Sequence, residues 1–333
     1  MPTLEITTKL GCALACWFCP QDRLVKSYPR DAARMLSLEA FRGVLDTVPP
    51  HVRIDFSGMA EPWLNPDATA MVTETFERGR KAAIYTTLQG MAPPDAVALI
   101  ARFGNRITPE TPWVIHLPDQ EGNMTGWRPS GDYFACLAAF ADFHRAGAPR
   151  GLSFMTMSAD GTPAEPVRAV FGAQLAPFVG ISRAENLDRG DFSPGRLLEA
   201  AGHGGAILCG STPFFDHNTM LPNGDVVLCC MDYGRRHVLG NLFQQSYAEI
   251  FSAPAMGAIR TQAMTPDGEL DALICRRCHN AVRLDQASGT HWRLAGDAMW
   301  APWTTARPVP PPADRATPAG RASKALSWLL QRA

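Results

Sequence analysis

The sequence predicts an α/β chain in which six β/α units in succession build a parallel sheet, followed by a smaller α+β region. Three observations predict it. Short apolar runs alternate with stretches of helical periodicity from Leu4 to about Glu185. The polar motifs of the chain fall just after those runs, where barrel-type folds gather their chemistry. Beyond residue 200 the alternation gives way to a hairpin signal and scattered cysteines. Helix-linked parallel strands either curl into a barrel or spread as a doubly wound sheet, and periodicity alone does not separate the two.

Taken in order, strands are expected at residues 4–8, 52–57, 83–87, 113–117, 152–157 and 179–183. Helices are expected at 38–48, 68–80, 94–103, 133–146 and 163–175. With 333 residues, 46% of them hydrophobic, the chain can fill one large domain and a smaller one. A net charge of −1 gives no electrostatic case for a nucleic-acid partner, so none is expected. No basic N-terminal region leads into an apolar stretch and no apolar run reaches bilayer length, which points to a cytoplasmic protein without a transmembrane segment. Nine cysteines in such a chain read as reduced thiols serving metal chemistry rather than as a disulfide framework.

The first strand runs into Gly11-Cys-Ala-Leu-Ala-Cys-Trp-Phe-Cys-Pro20, with thiols at Cys12, Cys16 and Cys19. Positions i, i+4 and i+7 would share one helix face, and buried free cysteine is ordinary. This segment is nevertheless a poor helix. Gly11 precedes it, Pro20 ends it, and it follows the alternation of residues 4–8, so it reads as a loop. Three thiolates suit a four-iron cluster with one iron left open, whereas a structural zinc ion wants four ligands and no fourth is local.

The residues CALACWFC, with Phe18 before the third cysteine, resemble the CxxxCxxC signature of the radical S-adenosylmethionine (SAM) enzymes. The resemblance implies a partial (β/α)6 TIM-like barrel, a SAM-binding [4Fe–4S] cluster on Cys12, Cys16 and Cys19, and reductive cleavage of SAM. It also implies an electron donor of flavodoxin or ferredoxin type. The second strand ends in Asp55-Phe-Ser-Gly-Met-Ala-Glu-Pro62, where a small-residue turn and a carboxylate suit an ammonium ligand. It resembles the family's glycine-glutamate-proline motif, so Gly58 and Glu61 are implied to bind the amine of SAM. Ala60 stands where a glycine is usual.

Other strand ends carry Thr86, Thr87 and Gln89, His116 and Asp119, Ser158, and Arg183 with Glu185. Such residues either cap helices and loops or face a ligand. The resemblance singles out His116 and Ser158 for SAM, and leaves Arg183 and Glu185 to SAM or substrate.

Past residue 205, Asn223-Gly224 between apolar runs signals a hairpin that ends at Cys229, and Cys275-Arg-Arg-Cys278 has CxxC spacing. Together with Leu239-Gly-Asn-Leu242 and a helix near 246–251, these resemble the SPASM and twitch domains found behind radical SAM barrels. Too few cysteines are present for two auxiliary clusters. The resemblance therefore implies a twitch-type domain over 205–298, with one auxiliary [4Fe–4S] cluster on Cys209, Cys229, Cys275 and Cys278. A four-cysteine zinc site is the rival, and Cys230 is an open alternative to Cys229. Cys136 lies in a helical pattern and reads as core. Residues 299–333 read as a proline-rich linker and a short basic amphipathic helix.

The resemblance implies hydrogen abstraction from a substrate carbon, with dehydrogenation of a sugar or aminocyclitol alcohol as the leading expectation. The chain starts at its first barrel strand, which leaves no room for the leader-binding domain placed ahead of many peptide-modifying relatives. Peptide maturation is the alternative, as is epimerisation with Cys230 as hydrogen donor. A non-catalytic iron–sulfur or zinc protein is more distant, since it needs neither Glu61 nor an open cluster corner. Arg183 and Cys230 are the catalytic candidates.

Overall fold

Apolar residues on alternate positions of five short segments build the sheet. β1 (Thr3–Ile6), β2 (Arg53–Phe56), β3 (Ala82–Thr86), β4 (Trp113–Leu117) and β5 (Leu152–Thr156) pair in parallel in that order. These strands belong to a computed structural model. It describes residues 1–285 except 157, 159, 172–174, 176–179, 182, 183, 185–196, 199–201, 211, 213 and 267. The tail at 299–333, Arg183, Glu185 and the end of the second domain lie outside the described residues.

Helices return the chain between strands. α1 (Gln21–Ser27) and α2 (Leu38–Thr47) lie between β1 and β2, α3 (Ala68–Glu77) follows β2, α4 (Pro93–Phe103) follows β3, α5 (Gly131–Arg145) follows β4 and α6 (Glu165–Phe171) follows β5. Their starts have local causes. Ser37 accepts a hydrogen bond from Ala40 N and Ser130 from Tyr133 N, while proline opens α4. Leu4, Ile6, Ile54, Phe56, Ile84, Trp113, Ile115 and Phe154 pack against Phe41, Val44, Met71, Phe76, Leu99 and Phe140 in one core. Because strand side chains alternate, Glu5, Arg53, Asp55, Tyr85 and His116 occupy the face turned away from these helices.

Two pairings depart from simple strand order. The sixth strand, β6 (Gly180–Ile181), pairs in parallel with β7 (Leu197–Leu198) and forms no ladder with β5 among the described residues. Pro177 and Gly180 weaken that run as a strand. The second difference lies past residue 200. β8 (Ile207–Cys209) pairs with the late strand β12 (Ala281–Arg283), but β9 (His217–Met220) lies parallel to β1, with Glu5 opposite Thr219. β10 (Asp225–Val227) and β11 (Val238–Asn241) extend the ladder antiparallel, giving one sheet in the order β11-β10-β9-β1-β2-β3-β4-β5. The hairpin thus continues the barrel sheet instead of standing apart from it. Gly224, at φ 86°, makes its turn, where an added Cβ would sit 2.7 Å from Asn241 Oδ1. α7 (Tyr247–Ser252), opened by the Ser246–Glu249 capping box, and α8 (Pro254–Met264) complete the region.

Candidate active site and cluster-binding loops

The three-cysteine segment is a loop, as Gly11 and Pro20 dictate, with Gly11 at φ 82° and Ala15 at φ 45°. A strap from the β4–α5 connection holds it. Gly126 N donates to Leu14 O at 2.7 Å, Thr125 Oγ1 to Ala15 O at 2.9 Å, and Trp17 N to Asn123 O at 3.1 Å. Asp119 shapes that strap by accepting from Glu121 N at 2.8 Å and Asn123 Nδ2 at 3.0 Å. Phe18 is buried against Met124 and meets Trp17 edge-on at 5.7 Å.

All three thiols are partly exposed. Burial pushes the Cys12 thiol up to about 11, the Glu61 and Cys19 charges add to that, and the N–H groups of Leu14 and Glu61 pull it back. The Cys19 sulfur accepts from the Tyr233 hydroxyl at 3.6 Å. Three thiols on one loop, met by N–H and O–H donors, are a donor set that fits an iron–sulfur cluster.

The loop after β2 packs directly on the end of β1. An added Cβ at Gly58, φ 53°, would sit 2.4 Å from Thr7 Oγ1, so only glycine fits. Glu61 is buried and its carboxylate is heavily engaged. It accepts from Thr86 Oγ1 at 2.7 Å, Thr87 N at 2.6 Å, Thr87 Oγ1 at 2.7 Å and Trp63 N at 3.2 Å. Burial raises its carboxyl above the ordinary range and those four donors oppose the rise. Thr86 and Thr87 thus tie β3 to the glutamate. Asn65 closes the same corner by donating to Thr8 O at 2.9 Å and Leu36 O at 2.8 Å.

Of the remaining candidates, His116 lies edge-on to Tyr85 at 6.4 Å on the polar face of the sheet. Ser158 is buried and donates to Asp160 Oδ1 at 2.8 Å within its own loop. Sequence reasoning missed the charged group between them and β9. Glu5 stands opposite Asp55 in the ladder, a like-charge pair that needs compensation. Arg53 clasps Asp55 through two bonds of 2.6 Å, and His217 Nε2 lies 3.0 Å from Glu5 Oε1. Burial disfavours charge on His217, but Glu5 outweighs it and raises the imidazole above its ordinary value. The signal was present in the sequence. A glutamate between Leu4 and Ile6 in a buried strand demands a partner.

The second cysteine set comes from three places. β8 ends at Cys209, the hairpin leads to Cys229 and Cys230, and the turn before β12 carries Cys275 and Cys278. Burial raises the Cys229 thiol, and the charges of Cys230, Cys275 and Cys278 raise it further. Cys275 responds in the same way to burial, then to Cys209, Cys278 and Asp232. Two thiols raised by burial and by neighbouring thiols, Cys229 and Cys275, suit a cationic iron core, which inverts that logic by holding thiolate outright. Among the described residues, no three cysteine, histidine or carboxylate side chains close around a single metal ion. Cys136 is buried core, its thiol directed at Met91 O.

Residues 209–279 match the profile of the SPASM family, an iron–sulfur cluster-binding domain, and so span the whole second cysteine set. No curated protein sequence matches the chain. Three solved structures of similar fold are BtrN in complex with AdoMet and 2-DOIA, native anSMEcpe with bound AdoMet, and Streptococcus suis SuiB bound to precursor peptide SuiA. BtrN shares 13% identity over 80% of this chain and 88% of its own, at a TM-score of 0.47. For anSMEcpe the figures are 12%, 79%, 84% and 0.44, and for SuiB 16%, 78%, 66% and 0.46. The chain thus carries a SPASM-type region over residues 209–279, behind a parallel sheet whose first strand feeds the CxxxCxxC loop. The matched region is of a kind that binds an iron–sulfur cluster. Among the described residues no helix is long and apolar enough to cross a membrane.

Proposed function

We propose that the chain abstracts hydrogen from a carbon of a hydroxylated, carbohydrate-like small molecule and oxidises it by two electrons. The observation that carries this reading is the polar sheet face below the three-cysteine loop. Glu5, Asp55, Tyr85, His116, His217 and Thr219 line it, a set of donors and acceptors matched to hydroxyl groups. When bound, the clusters and SAM supply the 5′-deoxyadenosyl radical and an electron acceptor.

Cys12, Cys16 and Cys19 would hold the SAM-binding cluster. Phe18, Gly58 and Glu61 shape the floor on which SAM is oriented, with His116 and Ser158 at neighbouring strand ends. Cys209, Cys229, Cys275 and Cys278 would hold the auxiliary cluster. The Glu5 carboxylate, paired with His217, takes up the proton released from the substrate hydroxyl. The strap from Asp119 to Gly126 holds the loop in place. A flavodoxin- or ferredoxin-type protein delivers the electron.

One observation favours a second reading, epimerisation. Cys230 is partly exposed beside Cys229 at the end of the hairpin, and a thiol that meets the substrate there can return hydrogen to its carbon. Turnover of aminocyclitols and sugars in deuterated water separates the two. A new carbonyl without deuterium supports oxidation. Deuterium at an inverted carbon, lost in Cys230→Ala, overturns it.

A further inference from the structure

Loop 229–237 touches both cysteine sets. One end carries Cys229 and Cys230, and at the other His237 Nε2 accepts from Ile274 N at 3.2 Å, beside Cys275. Between them Tyr233 crosses to the first site, where its hydroxyl lies 3.6 Å from Cys19 Sγ. We propose that Tyr233 is a positioning residue of the three-cysteine site, whose phenol O–H donates to the Cys19 thiolate and holds up the reduction potential of the bound cluster. The inference rests on the reading of Cys12, Cys16 and Cys19 as that cluster's ligands.

The phenol is held on every side. Tyr233 is 1% exposed, packed with Leu10, Leu24, Tyr28, Met59, Leu221 and Val227. Its carbonyl accepts from Ser27 Oγ at 3.3 Å, which fixes its backbone to the helix that follows Cys19. Two residues on, Arg235 donates to Ser27 O at 2.6 Å and to Asp225 Oδ2 at 2.5 Å. Asp232, fully buried, accepts from Arg236 N and His237 N at 2.8 Å each, so the loop has little freedom to carry the hydroxyl away.

A thiol is a weak acceptor, but a thiolate ligand carries charge, and a buried hydrogen bond to it is strengthened by the low local dielectric. Hydrogen bonds to the sulfurs are among the factors that set iron–sulfur potentials. Reduction adds an electron to the cluster, so a donor at a ligand sulfur stabilises the reduced form more than the oxidised form. Removing that donor moves the potential down.

The test is an anaerobic redox titration of the iron-loaded full-length protein by electron paramagnetic resonance, following the signal that changes when SAM is added. Tyr233→Phe keeps the ring and removes only the hydroxyl. The expected result is a lower midpoint, on the order of 59 mV for a tenfold change in the reduced-to-oxidised ratio at fixed potential. Tyr28→Phe is the control, because its hydroxyl lies in the same apolar cluster but donates to the carbonyl of Ala33, at 2.5 Å. An equal shift in both variants, or none in Tyr233→Phe, overturns the inference. Should Tyr233→Phe take up no iron, 3-fluorotyrosine placed at 233 decides. Its more acidic phenol moves the midpoint up if the bond is made, and an unmoved midpoint overturns the inference. A wild-type chain that binds no cluster at Cys12, Cys16 and Cys19 overturns the underlying reading, whereas a wild-type cluster indifferent to position 233 overturns the role of Tyr233 alone.

Discussion

Glu61→Gln is the substitution that most sharply tests how the second-strand loop is built. In the native chain one carboxylate oxygen accepts from Thr86 Oγ1 and Trp63 N, and the other from Thr87 N and Thr87 Oγ1. An amide can place its oxygen at only one of these positions. With the oxygen toward Thr87, the NH2 group faces the Trp63 N–H, and with the oxygen toward Trp63 it faces the Thr87 N–H. The hydroxyls can rotate to accept, but one buried backbone donor is left unmet, at a cost of about 1–3 kcal/mol. The surviving bonds lose their charge assistance, and relief from burying a charge offsets part of that loss. The net expectation is about 2–3 kcal/mol of destabilisation. Urea unfolding reads it as a lower midpoint with an unchanged slope, while SAM binding weakens and iron content holds. A Gln variant within about 0.5 kcal/mol of wild type would refute the four-donor arrangement.

Three further outcomes follow from the same geometry. Two four-iron clusters need about eight irons per chain, so Cys275→Ala with Cys278→Ala should leave about four irons and still cleave SAM; stoichiometric zinc in the parent protein would reject the auxiliary cluster. Gly126→Ala places a Cβ 1.7 Å from Ala13 O, a backbone atom with nowhere to go. It should cost about 1–3 kcal/mol or more and displace the three-cysteine loop, read as loss of about half the iron. Because Glu5 raises the His217 imidazole, its contribution to stability is fully present below the unfolded value near 6.5 and is lost as pH rises through the raised folded value. His217→Gln should flatten that fall in the urea midpoint, and parallel pH profiles would contradict the pairing.

Much of the sheet is legible in the sequence, because each strand announces itself locally. Residues 113–117 form β4 at the expected bounds, and Asn223-Gly224 makes the expected turn. The pairing of β9 with β1 is not legible. A parallel neighbour more than 200 residues away is chosen by packing and leaves no local turn signal. The site divides along the same line. CxxxCxxC and CxxC are spacing patterns and stand out, whereas the use of Thr86 and Thr87 as donors to Glu61 depends on two strand ends meeting. Tyr233 escaped notice for that reason as well, since nothing near it in sequence points to Cys19.

The central claim is that Cys12, Cys16 and Cys19 hold a cluster that cleaves SAM reductively. Anaerobic incubation of the iron-loaded protein with SAM and a low-potential reductant, assayed for 5′-deoxyadenosine, tests it most directly. The wild-type chain should form 5′-deoxyadenosine, and Cys12→Ala, Cys16→Ala and Cys19→Ala should each abolish it. No product from the wild type, or undiminished product from the triple variant, would contradict the account.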